Sequence, residues 1–332
     1  MGRPVAIIGA GVAGLAAAHR LADGGFAVRV FEKSRGLGGR SATRRRDGYQ
    51  FDHGAQYFTV RSSRFRQAAA RGIDEGWVAA WSPRAVRLAS DGSLEPATVT
   101  DRYVGVPGMS SLGRGVAGDL RVEVGIRIAE LRREGSRDRT LVSTDGDRFE
   151  AFGAVVVSCP PPQSAVLLSS ASPGLAAVCR SAEMRPCWAV MAAFDSPLGL
   201  DFDAAFVADR TLAWASREAS KPGRVSRPEC WTLHGTPEWS DAQLEEDPDR
   251  VARGLLDRFF ELAGLTPRTP ILLETHRWRY ARSAEPRGAD TILDPDARIA
   301  IAGDWTVGDR LEDAWLSGIE AAESIVGVLG GR

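Results

Sequence analysis

The chain has 332 residues, of which 42 are lysine or arginine and 43 are aspartate or glutamate, so its net charge of −1 argues against a nucleic acid partner. A chain of this length can bury a large core and is expected to form about two domains. Its four cysteines (159, 179, 187 and 230) lack C-x-x-C spacing, which predicts reduced interior thiols and no metal site. No apolar run approaches a membrane span, and the first predicted strand begins at Val5, which leaves no room for a signal peptide, so a cytoplasmic protein is expected.

The first motif is a dinucleotide-binding clamp. A short apolar strand, Val5–Ile8, leads into GAGVAG at residues 9–14, which fits G-x-G-x-x-G. The first glycine allows a tight turn, the second lets the backbone approach a pyrophosphate, and the third allows close packing of helix and strand. A helix predicted over residues 15–21 ends near Gly24, and a second strand at residues 27–31 delivers Glu32 to a ribose. These elements predict an adenine dinucleotide whose pyrophosphate lies at the helix N-terminus.

The loop at residues 33–46 is rich in glycine and arginine. Bare amides and guanidinium groups both suit phosphates, and the position of the loop behind a ribose-binding acid favours that role over a solvated charge run. Six residues here resemble the second signature of the flavoprotein superfamily of amine oxidases and their relatives, with one extra residue before the glycine pair: Glu32, Arg35, Gly38, Gly39, Arg40 and Thr43. The resemblance implies that the dinucleotide is FAD.

The segment FDHGAQYF, residues 51–58, reads as a short strand that ends in a glycine turn. His53 by itself is more typical of a structural histidine than of a catalyst. In the resembled superfamily this segment runs past the isoalloxazine ring. The resemblance therefore implies that Gln56 and Tyr57 are neighbours of the flavin.

The middle of the chain predicts an insertion followed by a return to the nucleotide fold. Helical spacing covers residues 64–81, and alternation over residues 86–100 indicates a hairpin of a substrate domain. The segment RVEVGIRIAEL, residues 121–131, is strand-like. The apolar run at residues 154–157 is typical of a parallel strand that is covered on both faces. The resemblance places Ile128 beside the adenine.

Residues 163–275 carry weaker motifs. Strand-like runs at 188–194, 212–216 and 230–234, with a helical pattern over 247–263, predict a tryptophan-rich sheet that forms a lid over a planar ligand. Most of its aromatic side chains are expected to fill the core of that sheet. Four residues are predicted to lie nearest the pocket: Trp188, His234, Trp278 and Tyr280.

The C-terminal part predicts a return to the first domain. Residues 272–281 cross back, and a buried strand at 298–303 runs into Asp304, where a carboxylate can hold a ribityl or pyrophosphate group. The segment LEDAWLSG, residues 311–318, enters a helix whose N-terminus would face the flavin N1–C2=O edge. This arrangement resembles the third flavin signature of the superfamily, except that Asp313 replaces its usual glycine.

The predicted fold is α/β, with a Rossmann-type FAD-binding domain like that of amine oxidases and p-hydroxybenzoate hydroxylase (1–61, 103–162 and 276–332) and an inserted mixed-sheet substrate domain (62–102 and 163–275). Non-covalent FAD is expected, because no cysteine follows Cys230. The predicted cofactor-binding residues are Gly9, Gly11, Val12, Ala13, Gly14, Glu32, Lys33, Arg35, Gly38, Gly39, Arg40, His53, Gly54, Ala55, Gln56, Ile128, Gly303, Asp304, Glu312, Asp313 and Ala314.

Segments spread over nearly the entire chain, among them FDHGAQYFTVR, CWAVMAAF, HRWRYA and GDWTVGDRLEDAWLSG, resemble bacterial renalase-type proteins. The resemblance implies an FAD oxidase, as a monomer or homodimer, that oxidises 2- or 6-dihydro isomers of NAD(P) to NAD(P)+ and passes the electrons to O2 as H2O2. Gln56, Tyr57, Trp305 and the four pocket residues would hold the substrate. A dihydropyridine expels hydride readily, so the site mainly orients its carbon against flavin N5, and no catalytic acid or base is assigned.

Two alternatives stay open. A true amine oxidase commonly keeps a lysine near flavin N5. The only lysines here are Lys33, in the nucleotide loop, and Lys221, in a loop flanked by proline and glycine, and their placement weighs against an amine oxidase. The second alternative is a flavin-binding protein without turnover.

Overall fold

The computed structural model describes residues 2–98, 100–135, 138–288 and 292–330. The strands of these residues are β1 (Val5–Ile8), β2 (Val28–Glu32), β3 (Thr43–Arg46), β4 (Tyr49–Asp52), β5 (Val78–Trp81), β6 (Ala85–Ala89), β7 (Leu94–Pro96), β8 (Arg102–Gly105), β9 (Val122–Val124), β10 (Ile128–Glu134), β11 (Asp138–Ser143), β12 (Arg148–Phe152), β13 (Ala154–Val157), β14 (Met184–Phe194), β15 (Ala204–Ala208), β16 (Leu212–Arg217), β17 (Glu229–Gly235), β18 (Leu272–Ser283), β19 (Ile292–Asp294) and β20 (Ile299–Ile301). The helices are α1 (Val12–Asp23), α2 (Ser63–Asp74), α3 (Ser110–Ala117), α4 (Pro161–Leu168), α5 (Pro173–Arg180), α6 (Pro237–Ala242), α7 (Pro248–Leu262) and α8 (Leu311–Gly330). The predicted α/β class is confirmed.

A six-stranded sheet forms the nucleotide-binding half of the molecule, in the order β19-β20-β13-β1-β2-β9. β1 pairs in parallel with β13 on one side and with β2 on the other. The apolar run of β13 predicted a parallel strand covered on both faces, which this arrangement confirms. The alanine-rich α1 begins directly after the glycine turn and packs with α8 on one face of this sheet. The contact is close, because a Cβ on Gly318 would lie 2.1 Å from the carbonyl oxygen of Ala13.

The segment 121–131, predicted as one strand, is two. β9 ends at Val124 in the six-stranded sheet, and β10 starts at Ile128 in a separate sheet of order β10-β11-β12. Gly125 makes the break with a φ of +77°, a conformation that other residues rarely adopt. The turn brings the amide of Ile126 to the carbonyl oxygen of Glu32, 2.9 Å away.

The helix predicted over residues 64–81 is also shorter than expected. α2 ends at Asp74, and Gly76 reverses the chain with a φ of +77°. The residues that follow form β5, which pairs with β8. The helical spacing of apolar residues continues past Gly76 in the sequence. Residues 78–81 form a strand instead, because they pair with β8, which lies further along the chain and is not apparent from the local pattern.

The other half of the molecule is a mixed sheet of order β18-β14-β17-β16-β15-β6-β7. Alternate residues of β14 face opposite sides: Val190 and Ala192 pack against α7, whereas Met191 and Ala193 meet Phe51 of β4. We call these sides the α7 face and the turn face, the latter because residues 53–56, here the 53–56 turn, lie against it. The predicted domain boundaries stay a prediction. Among the described residues, no helix has the length and apolar composition to cross a membrane.

Candidate functional site

The glycine turn between β1 and α1 leaves the backbone bare. Gly9 has a φ of +106°, and a Cβ on Gly14 would lie 2.1 Å from the carbonyl oxygen of Gly9 and 2.4 Å from Ser158 Oγ, so both positions require glycine. A Cβ on Gly11 would meet no atom within 4 Å, so this glycine borders open space. The N-terminus of α1, with Val12 and Ala13 in its first turn, carries no side-chain cap and no acidic residue. Its amides are therefore suited to an anion.

Glu32 lies where the clamp needs an acceptor. It is buried at the end of β2, where its carboxylate accepts hydrogen bonds from the amides of Ala10 (2.8 Å) and Ser34 (2.7 Å). A carboxylate has further lone pairs, so a ribose hydroxyl can still donate to it. Of the two neighbours expected at the cofactor, Lys33 Nζ lies 3.1 Å from Gln163 Oε1, and Arg35 is exposed.

Arg40 joins the second signature to the third. Its guanidinium group forms a two-pronged pair with Asp304, at 2.9 and 2.6 Å, and donates to the carbonyl oxygen of Ala281 at 2.9 Å. The preceding loop folds onto the clamp, because the amide of Gly38 donates to the carbonyl oxygen of Ala10 at 2.8 Å and Gly39 lies against Gly11. The two N-terminal signatures and the distant C-terminal one therefore meet in one place.

The 53–56 turn lies between Arg40 and β18. The amide of Ala55 donates to the carbonyl oxygen of Arg40 at 2.9 Å, and a Cβ on Gly54 would lie 2.0 Å from that oxygen. The carbonyl oxygen of His53 accepts from Trp278 Nε1 at 2.9 Å and lies 3.2 Å from His234 Nε2. The turn is thus fixed to both halves of the molecule.

Three of the four histidines of the chain converge on this turn. The ring of His53 stacks on Trp278, with centroids 5.2 Å apart, and meets His276 edge-on at 4.8 Å. Burial, as the largest cause, lowers the pKa of His53 to about 3 and the pKa values of His234 and His276 to about 4. The three rings are therefore neutral at neutral pH. His53 Nδ1 is buried and has no hydrogen-bond partner within the described part of the chain.

Gln56 is buried behind the turn, and a lysine lies beside it. Its Oε1 accepts from Ser216 Oγ at 2.7 Å, from Lys221 Nζ at 3.2 Å and from Trp214 Nε1 at 3.3 Å. The sequence places Lys221 in a loop flanked by proline and glycine, which weighs against an amine oxidase, but the structure places its side chain beside Gln56. Lys221 does follow a short turn, Glu218–Ser220, but its side chain is fully buried.

The polar side chains of the C-terminal signature accept hydrogen bonds from backbone amides. The carboxylate of Glu312 accepts from the amides of Arg61 (2.9 Å) and Ser62 (2.6 Å), and that of Asp313 accepts from the amide of Arg310 (3.0 Å). Ala314 is half-buried in the first turn of α8, and Gly303 donates to Ser317 Oγ at 2.6 Å. Trp305 is buried, and its Nε1 has no partner among the described residues.

The strands divide the predicted pocket residues between the two faces. Trp278 and His234 lie at the 53–56 turn, and Tyr280 follows Trp278 by two positions along β18. Tyr57 packs beside Trp214, with ring centroids 5.6 Å apart. Trp188 lies on the α7 face, where it is 1% exposed and donates to the carbonyl oxygen of Gln243, so the structure does not bring it to the others. Ile128 is buried at the start of β10.

The sequence gives no direct indication of several residues of the site: Asp52, Trp81, Trp214, Ser216, Glu218, His276 and Arg224. Three of these residues, Trp214, Ser216 and His276, lie on strands where their spacing in the sequence carries a signal. Trp214 and Ser216 are two apart on one strand, as are His276 and Trp278, so each pair shares a face. The buried charges carried no such signal.

Comparison with known proteins identifies the family. Residues 97–326 match the model of the flavin containing amine oxidoreductases, and residues 7–71 match an NAD(P)-binding Rossmann-like domain. The chain belongs to the flavin containing amine oxidoreductase family. This family membership agrees with the flavin-dependent oxidoreductase that the sequence predicted.

The solved structures of relatives show the fold but not the substrate. A zeta-carotene-forming phytoene desaturase of Myxococcus xanthus is 55% identical over 53 residues, which are 16% of this chain and 10% of that protein. Cyclohexylamine oxidase from Brevibacterium oxydans IH-35A superposes with a TM-score of 0.74 at 15% identity, covering 99% of this chain and 100% of that one. Putrescine oxidase bound to putrescine gives 0.74 and 15%, covering 98% and 99%. The chain thus has the fold of these oxidases over its whole described length.

Proposed function

We propose that the flavin is FAD, held without a covalent bond. The bare amides of α1, the buried Glu32 and the pair of Arg40 with Asp304 suit its two phosphates and its ribose. The unpartnered buried atoms His53 Nδ1 and Trp305 Nε1 also support a polar ligand here. Burial raises the pKa of each of the four cysteines to about 12, which suits inert thiols better than an attachment site.

We further propose that the chain oxidises isomeric 2- or 6-dihydro-NAD(P) to NAD(P)+. The observation that carries this proposal is the charge balance around the turn. The carboxylates there already have cationic partners: Asp52 has Lys221 and Arg224, Glu218 has Lys221, and Asp304 has Arg40. Within the described part of the chain, these three carboxylates beside the 53–56 turn leave a cationic amine no free counter-charge. The site offers aromatic rings and neutral imidazoles to a flat, uncharged dihydropyridine.

The residues of the turn face would orient the substrate. Tyr57, Trp278 and Tyr280 supply flat surfaces, and the neutral His234 contributes a polar edge without repelling the positive ring of the product. The chemistry that bound FAD would supply is acceptance of a hydride at N5 and transfer of the two electrons, with one proton from solvent, to O2 to give H2O2. Because a dihydropyridine releases hydride without a base, correct placement of its carbon is the main requirement of the site.

An amine oxidase is the second candidate, and the burial of Lys221 beside Gln56 favours it. The positions of the lysines in the sequence weigh against an amine substrate, but the structure removes that objection because Lys221 lies beside Gln56. The charge balance still distinguishes the two, since Lys221 is held by two carboxylates and is not free to face a ligand.

Anaerobic reduction of the flavin distinguishes the candidates. The purified holoprotein is mixed without oxygen with borohydride-treated NAD+, which contains the 2- and 6-dihydro isomers, with ordinary NADH, and with a panel of amines. The proposal predicts that the isomer mixture bleaches the flavin fastest. Bleaching by amines alone would favour the second candidate, and bleaching by none of them would point to a flavin protein without turnover.

A further inference from the structure

A buried cluster of four charged side chains lies against Gln56 on the turn face. Asp52, Glu218, Lys221 and Arg224 have side chains that are at most 2% exposed. Lys221 Nζ lies 3.4 Å from Asp52 Oδ2 and 3.1 Å from Glu218 Oε2, and Arg224 donates to Asp52 Oδ2 at 2.5 Å. Two cations face two carboxylates, so the cluster is neutral as a whole.

The cluster ties distant parts of the chain together. Asp52 also accepts from Thr43 Oγ1 (2.7 Å) and from the amide of Met109 (2.9 Å), while Glu218 accepts from Thr232 Oγ1 (2.6 Å). These contacts join the hairpin β3-β4 to α3 and to β17. Buried ion pairs of this kind seldom stabilise a fold more than apolar side chains would, so stability alone does not account for the cluster.

Gln56 connects the cluster to the 53–56 turn. Its oxygen faces the cluster, where Lys221 Nζ is 3.2 Å away, and its nitrogen donates to the carbonyl oxygens of Asp52 and Gly54, the latter at 3.2 Å. An amide has only two N–H groups, and both are used here. The side chain of Gln56 is therefore a brace inside the protein and has no donor left for a ligand.

The turn passes this constraint on to the dinucleotide clamp. Its Ala55 amide donates to the carbonyl oxygen of Arg40 at 2.9 Å, and the guanidinium group of Arg40 pairs with Asp304. Gly54, Ala55 and Tyr57 are only half-buried, whereas Gln56 is buried between them and the cluster. The partly exposed side of the turn and its braced side are thus opposite each other.

We propose that Lys221 is a positioning residue for the flavin. Through Gln56 it holds the 53–56 turn at the place, relative to Arg40 and Asp304, at which the flavin binds. This inference rests on the proposed binding of FAD. It does not depend on which substrate is oxidised. It also gives the buried lysine a role that charge balance alone would not require.

Two variants separate this role from charge balance, and both are studied as holoproteins. Gln56→Met removes the brace and leaves all four charges. Lys221→Met combined with Glu218→Gln removes the lysine but keeps a neutral pair of Asp52 and Arg224. We expect each variant to raise the FAD dissociation constant about tenfold to a hundredfold, which corresponds to the loss of one hydrogen bond to a charged group. Each should also shift the visible absorption bands of the flavin.

The combination of all three substitutions tests whether Lys221 acts through Gln56. If it does, the triple variant binds FAD no more weakly than the weaker of the other two, because one contact is lost only once. Arg258→Met is the matched control: it strips a cation from Asp209, 2.6 Å away at α7, and should lower the melting temperature while leaving the FAD dissociation constant within about twofold.

Wild-type FAD affinity and spectrum in Lys221→Met/Glu218→Gln would overturn the proposal, because Lys221 would then only balance charge. Additive losses in the triple variant would overturn it as well. Should the charge variant fail to fold, Gln56→Met decides alone, and wild-type affinity there refutes the brace. Failure of the proposed function would appear with the substrate panel and would leave these FAD constants as expected.

Discussion

The two faces of the seven-stranded sheet use the same strands for opposite purposes. On the α7 face, β14 and β17 present Trp188, Val190, Trp231 and Leu233, which are at most 1% exposed and pack on α7. On the turn face, β16 and β17 present Ser216, Thr232 and His234, which bond to Gln56, Glu218 and the 53–56 turn. Residues of the two groups alternate along the strands, because successive side chains of a strand point to opposite faces of the sheet. We infer that the α7 face stabilises the sheet while the turn face serves the flavin, so substitutions on each should have separable effects.

The largest expected effect is on stability and comes from the α7 face. Phe259 is fully buried on α7 and packs against Trp231, with ring centroids 5.2 Å apart. Phe259→Ala should lower the free energy of unfolding by about 3–5 kcal/mol, because it removes apolar contact and leaves a cavity. Urea denaturation measures the loss. The flavin spectrum of the folded variant should be that of the wild type, and a shifted spectrum would contradict the separation of the two faces.

The pH dependence of stability should come from the turn face. The pKa of His53 is lowered to about 3, mainly by burial, whereas an unfolded histidine titrates near pH 6.5. Between these values the unfolded chain binds more protons, so stability is full above about pH 6.5 and falls as the pH drops toward 3. His53 alone should cost about 2 kcal/mol between pH 7 and pH 5.

His53→Gln is the variant that checks this prediction by urea denaturation at several pH values. It should remove about one proton from the pH slope of stability between pH 6.5 and 4. The pKa values of His234 and His276 are also lowered, so these residues still make stability fall as the pH drops. The variant should therefore reduce the pH dependence of stability without abolishing it. An unchanged slope would mean that His53 is not held neutral in the folded protein.

The smallest expected effect on stability comes from two tryptophans, one on each face of the sheet. Because they are matched in their contacts, they allow the two faces to be compared directly. Trp278 and Trp188 lie on neighbouring strands, and each donates its indole N–H to a backbone carbonyl oxygen, of His53 at 2.9 Å and of Gln243 at 3.0 Å. Either change to phenylalanine should cost about 1–2 kcal/mol of stability. Only Trp278→Phe should slow anaerobic flavin reduction. Equal slowing in both variants would refute the assignment of the site to one face.

The sequence allowed prediction of those parts of the site that local physics dictates. The clamp at residues 9–14 and Glu32 are neighbours in the chain, and the glycines there are required by contacts with Ser158 and their own turn. The buried strand before Asp304 was predictable because both its faces are covered, which makes the run continuously apolar. Signals of this kind depend on short stretches of chain.

What could not be predicted depends on distant contacts. Lys221 reads as a loop residue because the hydrogen bond that explains it joins it to Gln56, 165 residues away. Trp188 could not be assigned to a face of the sheet from the sequence, since β14 is apolar on both sides. Which of its alternating side chains face α7 is visible only in the assembled sheet. In segment 121–131, the break at Gly125 needs the knowledge that β9 and β10 join different sheets.

The most direct test of the proposed oxidation is the balance of its products. The holoprotein is incubated in air with purified 2- or 6-dihydro-NAD, while O2 uptake, H2O2 and NAD+ are measured together. The proposed function predicts that each dihydronicotinamide consumed takes up one O2 and yields one H2O2 and one NAD+, while ordinary NADH is left unchanged. Oxidation of ordinary NADH at the same rate, or H2O2 formed only when amines are supplied, would contradict it.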